Sequence, residues 1–163
     1  MQGLVFGLLL YPPAHALEVT RHREGEWVVV TAELPHKTEA IRALLQKDAK
    51  TMKLGSGVRS VQTEPLPNGC TKLHVENNGL GRAYSYTSER CPIENGWHSK
   101  MIESPDFKDH QIIWTTTPSA EGSRVTIRVK AQLKLPVPRF IVTRIVVGAL
   151  EETLIKIDGL LSN

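Results

Sequence analysis

Two side chains suited to acid–base chemistry, His74 and Glu76, stand two residues apart on the predicted strand Cys70 to Asn77. Such a pair, pointing into a cavity, would suit general acid–base catalysis on a bound molecule. Leu73 and Val75 alternate with them, and in a half-buried strand the apolar residues take the packed face. The pattern therefore favours the solvent side for His74 and Glu76.

Other arrangements typical of catalysis or metal binding are absent from the sequence. The six histidines, at positions 15, 22, 36, 74, 98 and 110, show neither H-x-x-x-H nor H-E-x-x-H spacing, which argues against a zinc site. No G-x-S-x-G motif occurs, and neither cysteine has a clear base partner. We predict no catalytic residue, no metal site and no cofactor.

The predicted strand Arg82 to Ile93 has no aliphatic face. One side carries two arginines, two tyrosines and a serine, namely Arg82, Tyr84, Tyr86, Ser88 and Arg90. If this side faces a cavity, Tyr84 and Tyr86 form flat walls with polar tips, and Arg82 would contact an anionic headgroup. The alternative is that the tyrosines are ordinary sheet residues.

These residues must be positioned by a sheet, since eight segments show strand composition and spacing. The segments are Leu17 to Arg23, Trp27 to Leu34, Val58 to Glu64, Cys70 to Asn77, Arg82 to Ile93, Trp97 to Glu103, His110 to Thr117 and Ser123 to Leu135. Short turns rich in Gly, Asn and Pro join the last six, which predicts an antiparallel meander. A helix with Thr38 as candidate cap is predicted over His36 to Ala49, and a short helix or loop over Lys50 to Gly57.

A long amphipathic helix is predicted over Pro136 to Leu161. The residues expected on its apolar side are Val142, Val146, Ala149, Leu150, Leu154, Ile157, Leu160 and Leu161. The preceding strand alternates cleanly from Val125 to Leu133, so one sheet face is packed. The helix is the one predicted element long enough to cover that face.

The two cysteines, Cys70 and Cys91, are too far apart in sequence for a usual metal-ligand spacing. If the hairpin turn centres near Gly79 and Leu80, they lie opposite each other on neighbouring strands. A disulfide is then within reach. Two free buried thiols are the alternative.

Length and composition predict one globular domain. The chain has 163 residues, a net charge of +3 and 6% aromatic residues, and its Lys and Arg residues are scattered. Because nucleic-acid binders usually show a basic stripe, we predict no nucleic-acid partner.

The amino-terminal residues 1–16 are predicted to be a secretory signal peptide. An apolar run from Leu4 to Leu10 precedes Ala14-His15-Ala16, a small-x-small cleavage pattern. Cleavage after Ala16 would leave a domain of residues 17–163 in the periplasm or outside the cell. No Lys or Arg precedes the apolar run, so an upstream start or a buried strand is the alternative.

Two stretches, WVVVTAELPHKTEAIRALLQKDAK and LKLPVPRFIVTRIVVGALEETLIKIDGLL, resemble the START-like (SRPBCC) superfamily of polyketide cyclases, dehydrases and lipid transport proteins. The resemblance covers Leu17 to Asn163. It implies an α+β helix-grip fold, in which a curved seven-stranded antiparallel sheet wraps around a long carboxyl-terminal helix. Two short helices follow the first strand. It also implies a cavity between sheet and helix that holds a hydrophobic or amphipathic small molecule.

The resemblance also indicates where this molecule would bind. It places the beginning of the last helix near the cavity mouth, so Phe140, Ile141, Arg144 and Ile145 are candidates for an entrance or a transient membrane contact. Packing against residues near Met52 and Leu54 is the alternative.

Trp97 and Trp114 are expected in the core or the cavity wall. We expect lipid transport or sequestration in an exported compartment. The alternatives are a small cyclase or dehydratase using His74, Glu76 or Tyr86, and an adaptor whose groove holds a partner.

Overall fold

The computed structural model describes residues 17–46, 57–79 and 81–163, and these form one antiparallel sheet with two helices. The elements in chain order are β1 Val19–Glu24, β2 Trp27–Leu34, α1 Thr38–Leu45, β3 Val58–Pro65, β4 Thr71–Gly79, β5 Arg82–Ile93, β6 Gly96–Glu103, β7 Phe107–Ser119, β8 Gly122–Leu133 and α2 Arg139–Leu161. The sheet order is β1-β2-β8-β7-β6-β5-β4-β3. The α+β helix-grip architecture is confirmed.

The sheet has eight strands, which is the number of strand-like segments found in the sequence. The number of seven strands implied by the family resemblance was wrong. Gly25 adopts a φ of 60°, which favours glycine, and the chain reverses there. β1 consequently folds back onto β2, with Val19 opposite Ala32 and Glu24 opposite Trp27. This hairpin adds the eighth strand at the edge of the sheet.

The main core lies where the second half of α2 covers β2 and β8. Val30, Val125 and Ile127 point inward from the strands and are fully buried, as the alternation predicts. Leu154 and Ile157 of α2 are fully buried against them. Burial of each such side chain stabilises the fold by about 1.5–3 kcal/mol, so this half of the helix is firmly held.

The predicted start and apolar stripe of α2 both need correction. The helix begins at Arg139, not Pro136, because a residue before proline disfavours helical backbone and both Leu135 and Val137 precede prolines. The buried residues follow the spacing Val147, Leu150, Leu154 and Ile157, with Thr153 beside them. Leu160 falls outside this stripe and is 52% exposed.

Helix α1 is shorter than predicted, and Thr38 is not its cap. Lys37 occupies the cap position. The Thr38 hydroxyl is instead buried 2.9 Å from the Ser123 hydroxyl, which donates to the carbonyl of His36. The two hydroxyls therefore fasten α1 to the start of β8.

Three other predictions fall outside the described residues. They are the signal peptide, the second short helix, and the packing of α2 against Met52 and Leu54. Within the described residues, no helix is long and apolar enough to cross a membrane.

Candidate functional site

A cavity of about 200 Å³ lies between the inner face of the sheet, which α2 covers, and the first half of α2. In this half Val142 and Val146 are only half-buried, whereas Leu154 and Ile157 in the second half are fully buried. The first half of α2 thus covers the sheet less closely than the second half. A second cavity, of about 340 Å³, adjoins the first and shares Val142 and Val146 with it.

Aromatic side chains from β5 and β7 form the sheet wall of the smaller cavity. Tyr84 and Tyr86 stand two residues apart on β5, so they share a face, and both are buried and line the cavity. The Tyr86 ring stacks on His110, with centroids 4.2 Å apart and planes inclined by 30°. Phe107 meets Tyr86 edge-on at 5.8 Å and Tyr84 at 6.0 Å. Such contacts hold the rings in fixed orientations.

His110 is the polar residue of this wall whose hydrogen bonding is incomplete. It is 8% exposed, and its Nδ1 atom is buried with no hydrogen-bond partner. Burial lowers the pKa of His110 to about 4, although the nearby Asp109 charge opposes the shift. Burial also raises the pKa of Tyr86. Both side chains are therefore neutral near pH 7.

The cavity lining carries no charge. Among residues 17–46, 57–79 and 81–163, its polar members are Asn77, Asn78, Tyr84, Tyr86 and His110, and none is Lys, Arg, Asp or Glu. The apolar members come from β7, β8 and α2, and they are Phe107, Ile112, Val129, Ala131, Leu133, Val142, Ile145, Val146, Ala149 and Leu150. This composition is typical of a site for a small molecule that is mostly apolar.

The fold is shared with several solved structures, although no family model and no curated protein matches the sequence. A START superfamily protein from Mycobacterium smegmatis superposes with a TM-score of 0.73 at 16% identity, over 83% of this chain and 97% of that one. A Thermus thermophilus protein gives 0.73 at 19% identity, over 82% and 94%. The chain has the START-like helix-grip fold. The Zhui aromatase/cyclase from a Streptomyces species also shares it, with a TM-score of 0.62 at 9% identity, over 90% and 92%.

The predicted site residues fall in separate parts of this START-like fold. Tyr84, Tyr86 and Ile145 line the 200 Å³ cavity. Trp97 and Trp114 stack on each other at 5.6 Å and line a different cavity of about 230 Å³ beside α1. Their role in ligand binding stays a prediction.

Of the remaining candidates on α2, Phe140 and Arg144 are exposed to solvent. Phe140 is 72% exposed and, with Arg144, borders a surface depression that also contains Arg21 and Arg23. Ile141 is half-buried. The helix periodicity explains why Ile145 lines the cavity and Phe140 and Arg144 do not. Phe140 and Arg144, four residues apart, lie on one face of the helix, and Ile145 lies on a different face. An entrance at this surface stays a prediction.

Neither arginine of the β5 face lines the 200 Å³ cavity. Arg82 pairs with Asp106, and its guanidinium lies 4.8 Å from the centre of the Tyr84 ring. Arg90 is buried with its guanidinium 5.0 Å from the centre of the Trp97 ring, and burial lowers its pKa. The proposed contact of Arg82 with a headgroup stays a prediction.

The disulfide between Cys70 and Cys91 is present, with the two Cα atoms 4.4 Å apart. The hairpin register explains it, since Gly79 pairs with Arg82 and Thr71 with Arg90. The two cysteines and Glu89 form the one cluster of potential metal ligands found in the described part of the chain. Because both sulfur atoms are used in the disulfide, this cluster does not indicate a metal site.

His74 and Glu76 lie on the outer face of the sheet, as the alternation predicted. Their side chains are 42% and 49% exposed, while Leu73 and Val75 are fully buried. This placement removes them from any role inside the cavity.

Sequence reasoning missed His110 and Phe107 as cavity residues. The signal for His110 was present, because His110, Ile112 and Trp114 alternate on one face of β7. Phe107 follows the predicted turn Ser104-Pro105-Asp106 and precedes the predicted start of the strand at His110, whereas the structure begins β7 at Phe107.

Proposed function

We propose that this protein binds a hydrophobic or amphipathic small molecule in the 200 Å³ cavity between the sheet and α2. The observation that carries the proposal is the uncharged, largely apolar lining with one buried histidine nitrogen left without a partner. An unpaired buried polar atom costs about 1–3 kcal/mol, and a ligand group that pairs with it would recover part of this cost. Similarity to START superfamily structures supports the same function.

The molecule is proposed to be lipid-like and to be carried or sequestered in an exported compartment. The Cys70–Cys91 disulfide supports an oxidising environment, because disulfides persist in secreted and periplasmic proteins. The predicted signal peptide over residues 1–16 supports export as well. The ligand would gain most of its affinity from burial of apolar surface, at about 25 cal/mol per Å² before ordering costs.

Direct binding of the uncharged fluorescent probe N-phenyl-1-naphthylamine, measured by fluorescence titration, tests the proposed cavity. Ala149→Phe places a larger side chain on the cavity lining and should weaken probe binding at least 10-fold. Ala83→Phe is the matched control, because Ala83 is exposed on β5 outside the lining. Equal binding by wild type and both variants, with folding verified by circular dichroism, would show that the probe does not use this cavity.

Native mass spectrometry of the freshly purified protein tests for a natural ligand. A co-purified adduct of lipid-like mass is expected in the wild type and should be reduced in Ala149→Phe. An adduct of equal abundance in both would place the ligand elsewhere.

We also propose that the start of α2 makes a transient contact with an anionic membrane. Phe140 is 72% exposed, and the depression beside it contains three arginines, Arg21, Arg23 and Arg144, against one carboxylate, Glu151. An exposed aromatic residue among basic residues suits the interface of an anionic bilayer. This contact would bring the cavity close to its source of ligand.

Sedimentation with phosphatidylglycerol vesicles tests the membrane contact. Phe140→Asp should reduce the vesicle-bound fraction several-fold. Ile155→Asp is the matched control, because Ile155 is 59% exposed on the same helix but does not border that depression. Identical losses in both variants, or unchanged binding in Phe140→Asp, would contradict the proposal.

An enzyme of the cyclase or dehydratase type is the second candidate. The stacked Tyr86 and His110 rings place two neutral proton-exchanging groups on the cavity wall, and one similar structure is named as an aromatase/cyclase. Tyr86→Phe should abolish turnover of a poly-β-keto thioester analogue if the protein is such an enzyme. If the wild type forms no product, the enzymatic role is excluded and ligand binding remains the proposed function.

A further inference from the structure

The chemistry of the cavity restricts the class of molecule that it can hold, and this restriction rests on the proposed function. We propose that the ligand is uncharged within the cavity and presents a hydroxyl or carbonyl group to His110 and Tyr86 at the inner end. Alcohols, ketones and amides that carry an apolar chain or ring belong to this class. Free fatty acids and phosphorylated lipids, if their charged group entered first, do not.

The first argument is that the two arginines on the tyrosine face of β5, Arg82 and Arg90, do not line the cavity. An ionised carboxylate needs a cation or several hydrogen-bond donors when it leaves water. Arg82 is paired with Asp106, and Arg90 lies over Trp97, which lines the separate cavity beside α1. In the described residues that line the cavity, the donors that remain are neutral.

The second argument comes from the exposure of the lining residues, which defines an outer and an inner side. Asn78 and Ile145 are exposed, so they mark the side that faces solvent. Tyr86, His110 and Leu150 are 4%, 8% and 9% exposed and mark the inner end. His110, whose Nδ1 atom is buried without a hydrogen-bond partner, therefore lies at the inner end of the cavity.

The third argument is that the inner polar groups are neutral under ordinary conditions. Burial depresses the pKa of His110 to about 4 and raises that of Tyr86. A neutral imidazole can donate or accept one hydrogen bond at each ring nitrogen according to its tautomer. It can therefore pair with a hydroxyl, which does both, or with a carbonyl, which accepts.

The size of the cavity is consistent with a short chain or a single ring attached to that polar group. Its volume of about 200 Å³ is below the roughly 300–1,000 Å³ of sites that enclose drug-sized ligands. A longer ligand would extend past Val142 and Val146 into the adjoining 340 Å³ cavity or past Asn78 and Ile145 into solvent, with its polar end innermost.

Two probes that differ only in the headgroup test the proposal. Decan-1-ol and decanoate have the same number of carbon atoms, and their affinities are to be measured by displacement of N-phenyl-1-naphthylamine from the full chain at pH 7.5. We expect decan-1-ol to bind at least about 10-fold more tightly, because the carboxylate must either leave water unpaired or stay outside the cavity.

The His110→Phe variant tests whether His110 is responsible for the preference for decan-1-ol over decanoate. It keeps an aromatic ring against Tyr86 but removes both nitrogens, so decan-1-ol should lose roughly 2- to 13-fold in affinity, the range for one neutral hydrogen bond. Decanoate should be unaffected. His74→Phe, the same substitution on the outer face, is the matched control and should change neither affinity. Tyr86→Phe, which deletes one hydroxyl, provides a second variant should His110→Phe not fold.

The possible results separate this inference from the proposed function. If the wild type binds no N-phenyl-1-naphthylamine, both the function and the inference are refuted. If it binds the probe but prefers decanoate or shows no preference, the binding function stands and the uncharged ligand class is wrong. The ligand class is also wrong if neither His110→Phe nor Tyr86→Phe changes the ratio of the two affinities.

Discussion

Removing the Cys70–Cys91 disulfide is expected to destabilise the protein and to loosen one wall of its cavity. The bond joins the ends of β4 and β5, and this hairpin carries Asn77, Asn78, Tyr84 and Tyr86 of the lining. Helix α2 packs mainly over β2 and β8, so β4 and β5 receive little support from it. The disulfide therefore matters most where the helix contributes least.

The size of the effect follows from the loop that the disulfide closes. The two cysteines are separated by 21 residues, and the chain-entropy relation for a loop of this length gives about 3 kcal/mol at 25 °C. For a protein of this size, a loss of that amount corresponds to a fall in Tm of roughly 6–12 °C. The loss should appear in the free energy of unfolding of a Cys70→Ser/Cys91→Ser variant.

Urea unfolding followed by circular dichroism measures this loss, with and without reductant. Reductant should lower the midpoint of the wild type towards that of the double variant and leave the double variant unchanged. Hydrogen exchange should show the greatest loss of protection in β4 and β5 and little change in β2 and β8.

Two results would refute the reasoning. Equal midpoints for the wild type and the double variant would show that the loop closure contributes no net stability. A loss of protection spread evenly over all strands would show that the disulfide does not act locally on the cavity wall.

The remaining predictions concern stability. The folded-state pKa of His110 lies near 4, below its ordinary 6.5, so the unfolded chain binds the proton more readily and stability falls as the pH drops from about 7 to 4. About 2 kcal/mol should be lost between pH 7 and pH 5, and urea midpoints for His110→Phe should lack this component. Gly148→Ala should raise the free energy of unfolding by about 1 kcal/mol, because a Cβ there meets open space within a helix. Gly96→Ala should lower the free energy of unfolding by about 1–3 kcal/mol, because its Cβ would collide with the Trp114 carbonyl oxygen. Urea titrations measure the change in both glycine variants. A Gly96→Ala variant more stable than the wild type would contradict the packing described.

Much of the fold could be predicted because its signals are local. The alternation from Val125 to Leu133 identified the packed face of β8, and the hairpin turn near Gly79 placed Cys70 opposite Cys91. These features depend on a period of two residues and on the length of one turn.

The candidate site could be predicted only in part, because local spacing specifies which residues share a face but not which distant strands meet. Alternation placed Tyr84 and Tyr86 on one face of β5 but left open whether that face points inward, and the structure puts both tyrosines on the cavity wall. His110 lies on β7, and its contact with Tyr86 spans 24 positions of sequence and crosses the intervening strand β6. No local pattern specifies such a contact.

The sequence by itself determined the strands, the disulfide register and the presence of a long final helix, since each depends on the spacing of nearby residues. Only the tertiary structure decided how closely each half of α2 approaches the sheet. Leu154 and Ile157 pack tightly in one half, while Val142 and Val146 border cavities in the other. That difference depends on which side chains of β2, β7 and β8 lie opposite each half of the helix, and these strands are distant from α2 in sequence or from one another.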